Sequence, residues 1–159
     1  MNRLVATLVL AVTLACTQRA AAPPTSQTAD STALADLRTR EAAAAKRGDL
    51  EGVMATLTSD VVLMPPNAAP VVGADSVRPW LAPVLKQFDY DVQYESRDLV
   101  IAGDWAIDRG AYTLTLTPRA GGSSLVEAGK YMWAVRRGPD GAWRYSRSIW
   151  SSNAPSGMQ

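Results

Sequence analysis

The stretch from Gly48 to Gly73 constrains the fold of this chain most, because it joins a capped helix to a short apolar strand. Asp49 is placed to accept hydrogen bonds from the first N–H groups of a helix, and Glu51 suits the positive end of the helix dipole. Apolar residues then recur at helical spacing, so one face has to be buried: Leu50, Val53, Met54 and Leu57. We therefore predict a short amphipathic helix packed against the rest of the domain.

A buried strand is predicted directly after this helix. The helix is expected to break at Ser59 and Asp60, and residues 61–64 are an apolar run. Pro65 and Pro66 end the strand because proline has no N–H group to donate to a sheet. Residues 71–73 are predicted to form a brief further strand.

The first 16 residues are predicted to be a secretion signal. Arg3 supplies a positive charge, and residues 4–14 form an apolar run too short for a permanent membrane-spanning helix. Cys16 is the only cysteine and follows a small residue, as in bacterial lipoprotein signals, so we expect lipidation at Cys16. Cleavage near the three alanines at residues 20–22 is the alternative.

Histidine is absent from the chain, and the formal net charge is +1 at pH 7. Without histidine, the chain cannot form serine–histidine or cysteine–histidine nucleophile systems or histidine metal sites. The near-zero net charge gives no reason to expect nucleic-acid binding, or membrane binding through charge. No cofactor and no metal site are predicted, since no carboxylate cluster has calcium-loop spacing. Catalysis would have to use carboxylates, tyrosine, lysine or arginine.

Composition and periodicity predict a tethered single domain of the α+β class. Residues 17–30 are rich in Ala, Pro, Ser and Thr and predict a flexible tether, and residues 154–159 a disordered tail. Within the domain, residues 31–153, helices are expected over 31–47, 50–57 and 74–88. From Tyr90 the period changes to two, which predicts four long strands over residues 90–101, 105–117, 125–137 and 142–152. The helices are expected on one face of a curved antiparallel sheet.

Residues 45–54, 60–66 and 72–73, in this order, resemble the nuclear transport factor 2-like superfamily, which includes ketosteroid isomerase and the SnoaL polyketide cyclases. Residues 129–153 resemble a subgroup catalogued as a domain of unknown function. The resemblance implies a cystatin-like cone, in which a curved sheet wraps a long helix and leaves an apolar cavity. It also implies a homodimer formed through the outer face of the sheet.

The same resemblance indicates which residues stand at the functional positions of ketosteroid isomerase. Met64 stands where that enzyme has its catalytic aspartate, and Glu41 stands where it has a tyrosine that donates to the oxyanion. The second donor of the enzyme, a protonated aspartate, would fall near Tyr131 or Trp133. Since a thioether cannot take a proton from carbon, the isomerase mechanism is not expected here.

Glu41 is the candidate catalytic residue, with two interpretations. On the same helical face as Leu34, it would be poorly solvated, and burial would raise its pKa and make it a general acid or base. In the other interpretation, Glu41 lies at the rim and pairs with Arg38, Arg147 or another cation.

Large aromatic residues are expected to line the cavity as a ligand pocket. Tyr131 and Trp133 are two apart and share a sheet face, and Ser148 shares its parity with Trp150. Aromatic side chains with a few hydroxyl groups suit a flat hydrophobic ligand. The predicted pocket comprises Met64, Trp80, Tyr112, Tyr131, Trp133, Ser148 and Trp150.

Two classes of function are compatible with these residues. The favoured one is a non-catalytic, exported and lipid-anchored domain that binds a small apolar ligand or acts as a dimeric scaffold. The alternative is an enzyme of the SnoaL or isomerase kind that uses Glu41 or a tyrosine as its acid–base group. A third possibility, a protein–protein partner domain of the cell envelope, shares the sequence features of the first. The expected location is the bacterial periplasm or outer membrane, with a soluble secreted form as the alternative, and membrane contact only through the lipid on Cys16.

Overall fold

A computed structural model describes residues 27–154 of the chain. The helices are α1 (Gln27–Lys46), α2 (Leu50–Met54) and α3 (Ala74–Gln87). The strands are β1 (Leu57–Met64), β2 (Val71–Val72), β3 (Phe88–Ala102), β4 (Trp105–Pro118), β5 (Leu125–Arg137) and β6 (Trp143–Ser152). They form one six-stranded sheet in the order β2-β1-β6-β5-β4-β3. The predicted secretion signal, Cys16 and most of the predicted tether and tail lie outside the described residues.

The α+β fold class is confirmed, and the sheet is mixed because one neighbouring pair is parallel. Strands β3 to β6 form the expected antiparallel meander, and β2 pairs antiparallel with β1. β1 runs parallel to β6, with Leu63 paired to Ser148. The first strand of the chain therefore lies beside the last, inside an open sheet whose edge strands are β2 and β3.

The first helix begins at Gln27, four residues earlier than expected. Asp30 lies in its first turn and is buried, and Arg137 donates to the Asp30 carboxylate over 2.7 Å. The indole N–H of Trp143 donates to the other carboxylate oxygen over 3.3 Å. These contacts hold the first turn of α1 against the sheet. Because the partners of Asp30 are distant in sequence, the local composition predicts a tether at this position.

The join between α1 and α2 matches the prediction. Gly48 ends the first helix with a φ of 68°, which glycine adopts without strain. The carboxylate of Asp49 accepts a hydrogen bond from the backbone N–H of Gly52 over 2.8 Å, which caps the second helix. The two helices therefore pack as a bent pair joined by only three residues, 47–49.

β1 begins at Leu57 and includes Ser59 and Asp60, where a break was expected. Both polar side chains point to solvent, and Asp60 accepts a hydrogen bond from Arg136 over 2.8 Å. Ser59 and Asp60 lie where the register of β1 against β6 shifts, between the paired residues Leu57 and Val62. Pairing on both sides of them keeps these residues, which favour turns in isolation, within the strand.

The third helix continues through Pro79 and Pro83, although each proline removes a backbone donor. Val77 and Leu85 are buried on one face, and burial of this face stabilises the helix despite the missing hydrogen bonds. Within residues 27–154, no helix has both the length and the apolar character needed to cross a membrane.

A buried ion pair joins α1 to β4, the strand next to the edge strand β3. The guanidinium of Arg38 lies 2.5 Å from Asp108 Oδ2, and Asp108 is only 1% exposed. Ser96 donates to Asp108 Oδ1 over 2.6 Å, and the Tyr131 hydroxyl lies 3.4 Å from the same oxygen. Both oxygens of this carboxylate are thus hydrogen-bonded, as burial of a charge requires.

Removing the Asp108 carboxylate is expected to destabilise the fold strongly. Asp108→Ala leaves Arg38 as a buried charge without its partner, so the free energy of unfolding should fall by about 3–5 kcal/mol. Asp98→Ala is the matched control, because Asp98 pairs with Arg109 over 2.9 Å at the surface and should change stability by at most about 1 kcal/mol. Urea unfolding followed by tryptophan fluorescence measures both, and equal losses would contradict the assigned role of Asp108.

Candidate functional site

A cavity of about 260 Å³ lies between the three helices and the face of the sheet that they cover. Its volume is close to the lower end of the range of ~300–1,000 Å³ usual for small-molecule sites. Aliphatic side chains from α2, α3 and β1 form one part of the wall. Aromatic side chains form much of the remainder: Trp80, Tyr90, Tyr94, Tyr112, Trp133, Tyr145 and Trp150.

Five of the predicted pocket residues lie together in this wall: Trp80, Tyr112, Trp133, Ser148 and Trp150. Trp80 of α3 packs edge-on against Trp150 of β6, with ring centroids 6.5 Å apart. Tyr131 does not line the cavity. It is buried with its ring stacked on Trp133 at 3.8 Å, so it supports the wall without forming part of it.

Met64 does not line the cavity either, and its predicted position was wrong. Met64 is paired with Ile149, and Ile149 with Met132. Residues paired across a sheet point to the same face. Met132 and Ile149 are 49% and 47% exposed on the face turned away from the helices, called here the outer face. Leu63, the preceding residue, lines the cavity instead.

Glu41 is the only carboxylate among the residues that line the cavity. Its Oε2 atom is out of contact with solvent and has no hydrogen-bond partner among the described residues. Burial raises the pKa of Glu41 to about 7, and a hydrogen bond with Tyr94 opposes this shift. An acid with this pKa is half-ionised near neutral pH, which suits general acid–base chemistry or a change of charge on ligand binding.

The pairing of Glu41 with Arg38 or Arg147 is not observed. Arg38 is held by Asp108, and Arg147 points to the outer face with its guanidinium 3.8 Å from Asp60. None of the residues that line the cavity is a lysine or an arginine. The carboxyl group of Glu41 therefore faces an apolar and aromatic wall without a cation.

The tyrosines around Glu41 supply hydroxyl groups that remain neutral near pH 7. The pKa values of Tyr94 and Tyr145 lie well above the usual value of 10, primarily because both are buried. The Tyr145 hydroxyl has no hydrogen-bond partner among the described residues, whereas the Tyr112 hydroxyl donates to Glu127. Tyr145 and Glu41 therefore provide two unpartnered polar atoms for a ligand.

The sequence reasoning missed Tyr90, Tyr94 and Tyr145 as cavity residues. Tyr90 and Tyr94 alternate with outward residues along β3, so their period of two is a signal that could have identified them. Tyr145 and Ser148 differ in parity, yet both line the cavity, because the register between β5 and β6 shifts by one residue after Tyr145. Such a β-bulge reverses the facing of all later residues and has no clear mark in the sequence.

Residues 27–154 contain no group of three or more acidic, histidine or cysteine side chains placed to hold a metal ion. The polar side-chain groups of the residues that line the cavity are the carboxyl group of Glu41, hydroxyl groups and the indole N–H groups of three tryptophans. They can exchange protons or hydrogen bonds with a bound molecule.

Comparison with known proteins identifies relatives over most of the described chain. A family model described as a SnoaL-like domain matches residues 39–146. A ketosteroid isomerase-like protein from Erwinia carotovora atroseptica is 29% identical, with a TM-score of 0.69 over 78% of this chain and 96% of that chain. No curated protein matches the chain.

Two further solved structures share the fold. A conserved protein from Planctomyces limnophilus is 23% identical, with a TM-score of 0.74 over 79% of this chain and 99% of its own. A nuclear transport factor 2-like protein with a cystatin-like fold from Novosphingobium aromaticivorans is 18% identical, with a TM-score of 0.68 over 82% of this chain and 86% of its own. These likenesses support the cystatin-like cone.

The raised pKa of Glu41 predicts that the unliganded fold becomes less stable as pH rises from about 4.5 to about 7. In this window the native state binds more protons than the unfolded chain, so stability is fully present below the unfolded pKa and is lost as pH rises through the folded pKa. The rise in pKa from 4.5 to about 7 corresponds to a total loss of stability of about 3 kcal/mol.

Glu41→Gln should remove this part of the pH dependence, since glutamine does not titrate. Glu95→Gln, an exposed substitution on the neighbouring strand, should retain it. Urea unfolding at a series of pH values measures the effect, and identical pH profiles for the wild type and Glu41→Gln would show that Glu41 is not buried as described.

Proposed function

This chain belongs to the SnoaL-like domain family, and from this premise we propose that its cavity binds one small, mostly apolar molecule. The observation that carries the proposal is the cavity of about 260 Å³ with its aromatic wall. We also propose, from residues 129–153, that the chain falls in the subgroup catalogued as a domain of unknown function.

The chemistry of the wall supports a flat ligand with a hydrogen-bonding group. Three tryptophans, Trp80, Trp133 and Trp150, offer large apolar surfaces. Glu41 Oε2 and the Tyr145 hydroxyl have no hydrogen-bond partner among the described residues, and a polar group of the ligand would bind to them. A ligand would therefore be oriented with this group toward α1 and β6.

Binding of 2-naphthol, a neutral flat aromatic compound, tests this proposal. It should shift the indole N–H signals of Trp80, Trp133 and Trp150 in NMR spectra. Trp105 and Trp143 serve as internal controls, because neither lines the cavity. Shifts of equal size at all five tryptophans, or at none, would contradict the proposal.

A cavity-filling variant sharpens the same test. Ser148→Phe places a ring inside the cavity and should weaken naphthol binding by about tenfold or more. A tenfold loss of affinity corresponds to ~1.4 kcal/mol of binding free energy. Ser151→Phe is the matched control, because Ser151 is paired with Lys130 on the outer face of the same two strands.

Acid–base catalysis by Glu41 is a second candidate function. It is favoured by a specific observation, the unpartnered carboxyl oxygen in the cavity together with a pKa of about 7. A general base with this pKa is ionised in useful amount at neutral pH and is reprotonated easily. The neighbouring hydroxyl of Tyr145 could donate to a carbonyl oxygen of the substrate while Glu41 removes a proton from the adjacent carbon.

Proton exchange at carbon tests the catalytic candidate. The protein should accelerate the exchange of the α-protons of 2-tetralone in D₂O, and Glu41→Gln should slow the exchange by about 10²-fold or more. Glu95→Gln is the control. If the wild type and Glu41→Gln exchange equally fast, Glu41 is not a catalytic residue, whereas the binding proposal is unaffected.

We further propose that two copies of the chain associate through the outer face. Exposed apolar residues form a stripe there: Val100, Trp105, Ile107, Met132 and Ile149. The Arg109–Asp98 ion pair borders this stripe, so the surface contains both charge signs and can face a copy of itself. Sedimentation analysis of the wild type against Met132→Glu decides the proposal, with the monomer favoured in the variant.

Export and lipid attachment at Cys16 are proposed from the sequence alone, since this segment lies outside the described residues. The location proposed is the bacterial periplasm or outer membrane. The mass of the mature N-terminus distinguishes a lipid-modified cysteine from a chain that is cleaved near residues 20–22.

A further inference from the structure

The residues that line the cavity include one carboxylic acid, Glu41, and no lysine or arginine. Arg38 lies one helical turn from Glu41, where residues three apart are neighbours, but its guanidinium is engaged by Asp108 at 2.5 Å. Glu41 Oε2 has no hydrogen-bond partner and no contact with solvent. The charge balance of the site is therefore incomplete whenever Glu41 is ionised.

Aromatic rings surround the region where a partner for Glu41 would sit. Trp133 is packed edge-on by Tyr94 at 4.7 Å and by Tyr145 at 4.6 Å. Each of these three side chains lines the cavity, as Glu41 does. The faces of tryptophan and tyrosine rings attract cations, and the attraction is strongest where water is excluded.

We propose that the ligand of this cavity is an organic amine bound as a cation, with its ammonium group on the Glu41 carboxylate and its apolar body among the tryptophans. The inference rests on the proposed binding function and names the class of molecule that would use it. A bound ammonium group would also satisfy the unpartnered oxygen of Glu41.

The alternatives fit the same wall less well. An anionic ligand would find no cation in the wall and would be repelled by Glu41, so its desolvation would not be compensated. A neutral ligand would leave Glu41 either as an uncompensated charge or as a neutral acid. An ammonium ion compensates the buried charge and gains from the rings at the same time.

Among the titratable groups that face one another around Glu41, only Glu41 itself changes charge near neutral pH, so the pH dependence of binding can be assigned to it. Tyr94 from β3 hydrogen-bonds to Glu41. The negative charge of Glu41 contributes to raising the pKa values of Tyr90 and Tyr145. Burial raises the pKa of each of these tyrosines above the usual value of 10, so they stay neutral below pH 9. Arg38, the cation nearby on α1, remains paired with Asp108. Between about pH 5.5 and pH 8, Glu41 is thus the group in this set whose charge changes.

Three probes of similar shape test the inference on the purified protein: 2-phenylethylammonium, 2-phenylethanol and 3-phenylpropanoate. They carry a positive, a neutral and a negative group on the same aromatic arm. Near pH 8 the ammonium probe should bind about tenfold more tightly than the alcohol, and the carboxylate probe more weakly than either. Calorimetric titration gives the affinities, and the indole N–H signals of Trp133 and Trp150 report binding in the cavity.

Two further measurements assign the preference to Glu41. The affinity for the ammonium probe should fall about tenfold or more on lowering the pH from 8 to 5.5, while the affinity for the alcohol changes by less than about threefold. An alkylamine with a pKa near 10 remains charged throughout this range. Glu41→Gln should abolish the preference for the ammonium probe and retain alcohol binding, and Glu95→Gln should change neither.

The outcomes separate this inference from the function on which it rests. Equal or tighter binding of the alcohol overturns the amine assignment and leaves the apolar binding function in place. A preference for the ammonium probe that persists in Glu41→Gln also overturns the assignment. If neither the alcohol nor the ammonium probe shifts the cavity tryptophans at millimolar concentration, both the inference and the binding function are rejected.

Discussion

The buried ion pair between Arg38 and Asp108 is the contact on which the geometry of the cavity depends. It ties the middle of α1 to β4 at 2.5 Å, and Ser96 completes the shell of the carboxylate. The same pair affects the state of Glu41, since Arg38, one turn before Glu41 on α1, is already engaged by Asp108. The fold therefore gives Asp108 a cation and hydrogen bonds to both carboxylate oxygens. It leaves Glu41, one turn after Arg38 on α1, without a counter-charge. Burial of an unpaired carboxyl group opposes stability, which makes function the better explanation for its presence.

Much of the fold follows from local patterns in the sequence. The β5 bounds, Leu125–Arg137, agree with the prediction, because a period of two over more than ten residues cannot be satisfied by a helix. The errors occur where distant partners decide the structure. β1 continues through Asp60 because the residues on either side of it pair with β6, and Asp30 fixes the start of α1 through Arg137 and Trp143. None of these partners is close in sequence, so composition alone predicts a helix break at Asp60 and a flexible tether at Asp30.

The candidate site was predicted less completely, because its membership depends on which face each strand turns inward. Met64 follows the inward residue Leu63 and so belongs to the outer face, a relation fixed by the pairing of β1 with β6. The β-bulge after Tyr145 brings two residues of opposite parity into one wall. Asp108 was not singled out because an isolated aspartate in a strand usually faces solvent. Glu41 was identified because helical spacing from Leu34 is independent of sheet register.

The charge of the ligand and the chemical role of Glu41 determine each other. With a neutral molecule in the cavity, burial keeps the pKa of Glu41 near 7, and the carboxyl group can give or take a proton at physiological pH. With an ammonium group in the cavity, the nearby positive charge favours the ionised carboxylate and lowers its pKa. Glu41 then acts as a fixed counter-ion and becomes a weaker base. A receptor for amines and an acid–base enzyme for neutral molecules thus require the same unpaired carboxyl group but exclude each other for a given ligand.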